Sequence, residues 1–178
     1  LYHMTNEVYD MWLGLFTYDK TDLNSKVELV DENPIYWRMQ KVSFEPAYDG
    51  DRMIAYLFLP KNVSPPYQTI LYWPGSFAGN VPSSDNGVSL VDMEMISYFI
   101  KDGRALLYPL LRGTYERGGK TNETGRERLF KQVRDFKRSI DYVESRKDLD
   151  STRIAFCGLS WGGWTGPIVS AAEPRIKT

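Results

Sequence analysis

Gly158-Leu159-Ser160-Trp161-Gly162 is the stretch that decides the fold of this chain. It is a G-x-S-x-G motif that lies between an apolar, strand-like run at 153–157 and a helix-compatible run at 163–172. A serine on a sharp strand-to-helix turn presents its hydroxyl to solvent, and the glycines leave room for the strained turn. A glycine-rich turn without a chemical role is the simpler interpretation, but it does not explain the flanking strand and helix. We therefore expect Ser160 to be a nucleophile.

The rest of the chain alternates between predicted strands and helices. Runs with strand character occupy 38–44, 52–59, 68–73 and 104–111, and runs with helix character occupy 2–16, 92–100 and 125–148. The first two strands should form an antiparallel hairpin around Asp49-Gly50-Asp51. Apolar strands joined by helices favour an α/β fold, with a mostly parallel sheet covered by helices on both faces. An N-terminal helix and a polar wrapping loop (1–36) would precede this domain (37–178).

The longest predicted helix has one apolar stripe and otherwise mixed charges. The stripe comprises Leu129, Val133, Phe136, Ile140 and Val143. Lysines and arginines on the other faces alternate with acidic residues, so we interpret them as a solvated surface rather than a nucleic-acid interface.

The composition describes a globular protein without a strong electrostatic preference. Hydrophobic residues make up 42% of the 178 residues, and the net charge is -1, so no nucleic-acid or membrane partner is expected. No apolar run reaches the roughly 20 residues of a membrane helix. The absence of a signal-like start favours the cytoplasm without deciding the compartment. No His, Cys and Asp cluster has metal-ligand spacing, so no metal site is expected.

Acyl transfer also requires donors for the oxyanion. One should be the main-chain N–H of Trp161, the residue after the nucleophile, and the other should come from the loop after the third strand. In that loop, at 73–79, the N–H of Ser76 is the preferred donor and that of Phe77 is a near alternative. An ordinary Pro-Gly strand terminator is the competing interpretation.

A second loop, Arg112-Gly113-Thr114-Tyr115-Glu116-Arg117, should lie beside Ser160. Arg112 and Tyr115, together with Phe77, are candidates for binding the carboxylate or carbonyl of a substrate. Pairing between Glu116 and an arginine inside the loop explains the same residues equally well.

A serine nucleophile needs a histidine base and an orienting carboxylate, which follow the serine in chain order in this fold. No residue after Ser160 is His or Asp, and His3, the only histidine, lies far upstream. We expect a surface or packing role for His3. We also expect the chain to be the N-terminal portion of a hydrolase, truncated after the elbow. Its sheet would be completed by the remainder of the polypeptide or by a companion chain.

The motifs resemble those of a known group of enzymes. The elbow, Gly166-Pro167-Ile168-Val169 and Glu173-Pro174-Arg175 resemble α/β-hydrolases of the dienelactone hydrolase and prolyl-oligopeptidase-like group. Arg112-Gly113-Thr114 is similar to the R-G-[GST] loop of prolyl-oligopeptidase-type enzymes. Upstream segments such as Phe58-Leu59-Pro60 look closer to esterase domains found alone or fused to bacterial serine/threonine kinases.

The resemblance implies a Ser-Asp-His triad with Ser160 as the nucleophile, and hydrolysis of a small-molecule ester without a cofactor. Two alternatives stay open. One is a non-catalytic binding or regulatory module with a hydrolase fold, and the other is a peptidase of the prolyl-oligopeptidase type.

Overall fold

The computed structural model describes residues 4–48, 50–119 and 122–177. The sequence predicts a surface or packing role for His3 and a turn at Asp49. Both residues lie outside the described ranges. The strands are β1 (Lys26–Asp31), β2 (Trp37–Phe44), β3 (Met53–Pro60), β4 (Tyr67–Trp73), β5 (Ala105–Pro109) and β6 (Leu149–Gly158). The helices are α1 (Asn6–Gly14), α2 (Met93–Lys101), α3 (Gly125–Ser145) and α4 (Trp161–Ala172). Short 3₁₀ turns occupy Ser76–Asn80, Asp85–Gly87 and Tyr115–Arg117.

The described strands form one mixed sheet in the order β1-β2-β3-β5-β4-β6. The pairs along the β1-β2-β3-β5 side are antiparallel, and β4 is parallel to both β5 and β6. The predicted hairpin is confirmed, since β2 and β3 pair in continuous register. The carboxyl ends of the three parallel strands, at Trp73, Pro109 and Gly158, share one edge of the sheet. Ligands bind at this edge in sheets of this type.

Helices cover both faces of the sheet, as predicted. Ile96 and Ile100 of α2 pack in the apolar cluster on one face, while α3 and α4 pack in the cluster on the other. The apolar stripe of α3 is confirmed, because four of its five residues are fully buried and Leu129 is partly buried. Each fully buried aliphatic or aromatic side chain stabilises the fold by roughly 1.5–3 kcal/mol. The stripe therefore fixes α3 firmly against the sheet.

Two N-terminal features differ from the sequence prediction. Residues 26–31 were predicted as loop but form β1, which pairs with β2 at the edge of the sheet. Nearly every residue of β1 is exposed, so the strand lacks the apolar alternation by which strands are detected. Helix α1 is confirmed, but it contacts the core through Trp12 and Leu13, whereas Val8 and Met11 are exposed.

The last described residues continue the parallel pairing beyond β6. Ile176 forms a parallel bridge with Ile154, and the N–H of Lys177 donates to the Ile154 carbonyl at 2.9 Å. None of the helices in the described ranges is long and apolar enough to cross a membrane. Within the same ranges, no group of three or more His, Cys, Asp or Glu residues is arranged to hold a metal ion.

Candidate active site

Ser160 lies at the turn between β6 and α4, with backbone angles φ 51° and ψ −109°. A non-glycine residue in such a conformation is strained by roughly 1–3 kcal/mol, and this strain persists only where surrounding contacts impose it. The residue is exposed, and no described residue forms a hydrogen bond with its hydroxyl. This geometry is that of a nucleophile elbow.

Two glycines let the elbow close against the end of β4. A Cβ on Gly162 would lie 2.1 Å from the carbonyl oxygen of Trp73, and a Cβ on Gly158 would lie 2.5 Å from the carbonyl carbon of Gly162. A larger residue at either position would therefore separate the elbow from β4. The N–H of Leu159 also donates to the Trp73 carbonyl at 3.2 Å. The elbow is thus held directly by the last residue of β4.

The loop after β4 runs beside Ser160. A Cβ on Gly75 would lie 3.5 Å from the Cβ of Ser160. Because a 3₁₀ turn begins at Ser76, the N–H groups of Ser76 and Phe77 have no acceptor within the turn. Neither these groups nor the N–H of Trp161 donates to another described residue. The structure thus places the start of the loop that carries the predicted donors next to Ser160, and their role as an oxyanion hole stays a prediction.

A cleft of about 260 Å³ opens beside the elbow. It is lined by the loop after β4, by Gly113 and Thr114, by the first turns of α3 and by Trp161. The Trp161 ring stacks on that of Trp164, with ring centroids 4.8 Å apart. Trp164 is 58% exposed and Phe77 is 65% exposed. Trp161 therefore contributes apolar contact area to the cleft, and the rings of Trp164 and Phe77 are exposed on α4 and on the loop after β4.

The side chain of Arg112 is engaged within its own loop. Its guanidinium binds Glu123, with Nη2 3.0 Å from Oε1, and Lys131 binds the same carboxylate at 2.6 Å. Hydrogen bonds from Arg112 and Lys131 lower the pKa of Glu123 to about 2. Arg112 therefore forms an ion pair with Glu123, which lies outside the 112–117 loop. The expected pairing of Glu116 with an arginine inside the loop is not observed, because Glu116 accepts hydrogen bonds from Ser83 and Ser84.

Tyr115 lies in the interior of the protein. The residue is 2% exposed, its hydroxyl lies 2.9 Å from that of Tyr108, and it accepts a hydrogen bond from the N–H of Val91 at 2.9 Å. Its backbone has φ 47°, which nothing in the loop sequence indicates. The substrate-binding role expected for Tyr115 does not fit this position.

A buried ion pair beneath the 112–117 loop is a feature that sequence reasoning missed. Arg117 and Asp135 have side chains 2% and 0% exposed, and Nη1 lies 2.5 Å from Oδ2. Asp135 also accepts the N–H of Arg112 at 2.8 Å, and Gln132 donates to the Arg112 carbonyl at 2.7 Å. Helix α3 therefore fixes the start of one cleft wall. Helical spacing was the available signal, since residues 128, 132 and 135 share a face beside the apolar stripe.

Glu116 connects the 112–117 loop to Ser83 and Ser84, which follow the loop after β4 in the chain. Its carboxylate accepts hydrogen bonds from the N–H and hydroxyl of Ser84, at 2.9 and 2.7 Å, and from the hydroxyl of Ser83 at 3.1 Å. Partial burial raises the pKa of Glu116, but the hydrogen bonds from Ser84 and Ser83 outweigh this effect and leave the pKa below its usual value. The ionised carboxylate is therefore the form that stabilises the folded chain.

We expect Glu116→Gln to destabilise the fold by about 1 kcal/mol at pH 7, because it weakens hydrogen bonds to the buried Ser84. The folded pKa lies below the unfolded value of about 4.3, so the stabilisation is fully present above that value. It is lost as the pH falls through the folded pKa. Urea unfolding at pH 7 and at pH 3 measures the difference, with the exposed Asp10→Asn as the control. A penalty of equal size at both pH values would contradict the assignment.

The architecture is similar to that of solved esterase structures. The chain matches a glucuronoyl esterase from Solibacter usitatus with a TM-score of 0.66 and 17% identity, over 96% of this chain and 56% of the esterase. It matches an acetyl xylan esterase from Paenibacillus sp. R4 with a TM-score of 0.67 and 22% identity, over 95% of this chain and 55% of the esterase. It matches acetyl xylan esterase 1 from Thermoanaerobacterium sp. with a TM-score of 0.67 and 16% identity, over 96% of this chain and 56% of the esterase.

These comparisons establish the α/β-hydrolase fold, and the chain spans just over half the length of these three proteins. No curated protein matches the sequence. Residues 49–178 match the family model of the X-Pro dipeptidyl-peptidase (S15 family), a region that includes both cleft loops and the elbow. The chain therefore belongs to the X-Pro dipeptidyl-peptidase (S15) family.

Proposed function

We propose that this chain carries the nucleophile and the oxyanion donors of a serine carboxylic-ester hydrolase. The observation that carries the proposal is the exposed Ser160 hydroxyl on a strained turn, beside a loop with free main-chain donors. In the proposed reaction, Ser160 Oγ attacks the carbonyl carbon of an ester. The N–H groups of Ser76 and Trp161 stabilise the negative charge on the carbonyl oxygen.

The base and its orienting carboxylate would come from sequence outside these 178 residues. The chain has one histidine, His3, and its solved structural neighbours are almost twice as long. A histidine would take the proton of Ser160 and deliver it to the leaving alcohol. Water would then hydrolyse the acyl-enzyme and restore the serine. No cofactor enters these steps.

A peptidase is the second candidate, because the matching family model is described as a dipeptidyl-peptidase. A dipeptidyl-peptidase releases two residues from the amino-terminus of a peptide, so its substrate carries an ammonium group. No acidic side chain is among the described residues that line the cleft, and Arg128 lines it. An ammonium group would be repelled there. This charge distribution favours an ester over an amino-terminal peptide.

The test compares p-nitrophenyl butyrate with Gly-Pro-p-nitroanilide on the full-length protein that contains this chain. We expect the ester to be hydrolysed and the anilide to react far more slowly. A fluorophosphonate probe should label the wild type and the Ser170→Ala control, which changes an exposed serine on α4, but not Ser160→Ala. Preferential cleavage of the anilide would establish the peptidase instead. Failure of both substrates to react, with no labelling, would support a non-catalytic module.

A further inference from the structure

Arg128 is the one charged residue among the described residues that line the cleft. It lies in the first turns of α3, and its side chain crosses the 112–117 loop. A Cβ on Gly113 would lie 3.0 Å from the Cδ of Arg128 and 3.5 Å from its Nε. The stem of Arg128 therefore forms part of the cleft wall.

The guanidinium of Arg128 has no partner within the described part of the chain. Its Nε is shielded from solvent and makes no hydrogen bond. Arg117 and Arg134 also have an unbonded Nε, but their other nitrogens bind Asp135 and the Leu15 carbonyl, respectively. Within the described residues, no hydrogen bond or ion pair forms at any side-chain nitrogen of Arg128. A shielded Nε without an acceptor is unfavourable, and in a cleft it is explained by a ligand that supplies the acceptor.

The acidic residues nearest in sequence are already occupied. Glu123 is bound by Arg112 and Lys131, and Glu127 accepts hydrogen bonds from the N–H and hydroxyl of Thr124 at 2.7 and 2.9 Å. The guanidinium of Arg128 therefore places a positive charge in the cleft, and the carboxylates of Glu123 and Glu127 bind other residues.

We infer that Arg128 binds a carboxylate group of the substrate, so that the preferred substrates are esters that carry a second, free carboxylate. This inference rests on the proposed ester hydrolysis and adds the class of substrate. The planar guanidinium can hold a carboxylate through two parallel hydrogen bonds. Gly75, at which a Cβ would lie 3.5 Å from the Cβ of Ser160, lines the same cleft as Arg128. The simplest substrates of this class are half-esters of short dicarboxylic acids.

The test uses two ethyl esters of the same shape and different charge. Monoethyl succinate ends in a carboxylate, and ethyl 4-methylpentanoate ends in an isopropyl group of similar size. Hydrolysis by the full-length protein is followed by pH-stat at pH 7.5. We expect Arg128→Gln to lower the ratio of kcat/KM, charged ester over neutral ester, by about 10- to 100-fold, the effect of losing a hydrogen bond to a charged group. Arg128→Lys should retain part of the ratio, and the control Arg126→Gln, an exposed neighbour on α3, should retain all of it.

A second measurement does not depend on turnover. Calorimetry measures the binding of monoethyl succinate to the Ser160→Ala protein with and without Arg128→Gln, and we expect the dissociation constant to rise by a similar factor. Arg128-dependent binding without hydrolysis of either ester would retain the inference and overturn the proposed function. Hydrolysis with a ratio that Arg128→Gln leaves unchanged would do the reverse. Absence of binding to Ser160→Ala would also overturn the inference.

Discussion

Replacing Ser160 with glycine is expected to abolish hydrolysis and at the same time to stabilise the fold. Loss of a serine nucleophile typically lowers kcat by about a million-fold. The backbone of Ser160 has φ 51° and ψ −109°, a conformation that costs other residues roughly 1–3 kcal/mol and glycine very little. After the extra chain entropy of glycine in the unfolded state is subtracted, a gain of about 1 kcal/mol remains.

Ser160→Ala is the matched comparison, because it also removes the hydroxyl but keeps the Cβ and its strain. Both variants should lose ester hydrolysis to the same extent, and the glycine variant should be the more stable one in urea unfolding. The Ser170→Ala control should keep its activity. If the alanine variant were as stable as the glycine variant, the elbow would not be strained.

The second large effect is expected from Asp135→Ala, which should lower the free energy of unfolding by about 3–5 kcal/mol. Its side chain is fully buried against Arg117. Removal of the carboxylate leaves the guanidinium of Arg117 charged, buried and without its partner. It also removes the acceptor for the N–H of Arg112. Since small domains are stable by only about 5–15 kcal/mol, this change should lower the unfolding midpoint markedly.

A double variant and a surface pair provide the controls for this measurement. Adding Arg117→Met to Asp135→Ala removes the unpaired charge, so part of the lost stability should return. Glu32→Ala breaks the ion pair with Arg38, whose two side chains are about half exposed, and should cost less than about 1 kcal/mol. If Asp135→Ala cost no more than Glu32→Ala, the buried pair would not be what fixes the 112–117 loop.

The sequence predicted those features whose requirements are local. The elbow could be located because Gly158 and Gly162 have to lack side chains where β6, α4 and β4 meet. The apolar stripe of α3 and the β2–β3 hairpin could be located because one buried face repeats at a fixed spacing. The position of the loop after β4 beside Ser160 followed from the shared edge of a parallel sheet.

The features that were missed depend on distant partners. β1 is exposed along nearly its whole length, so only its pairing with β2 distinguishes it from a loop. From the sequence, Tyr115 could have lined the cleft or entered the core. Its hydrogen bonds with Tyr108 and Val91 hold it in the core. Arg112 had several acidic residues within reach along the chain, and the choice of Glu123 depends on how α3 meets the loop.

The main-chain carbonyl of Trp73 lies between the two parts of the proposed reaction centre, which are the elbow and the donor loop. It accepts a hydrogen bond from the N–H of Leu159 and leaves no room for a side chain at Gly162. The donor loop starts at the next residue, Pro74. The spacing between nucleophile and donors is therefore set within a few residues of the sheet. The exposed side chains of Phe77 and Trp164 lie farther out and can change without altering that spacing. Substrate range can diverge among descendants of such a chain while the chemistry stays constant.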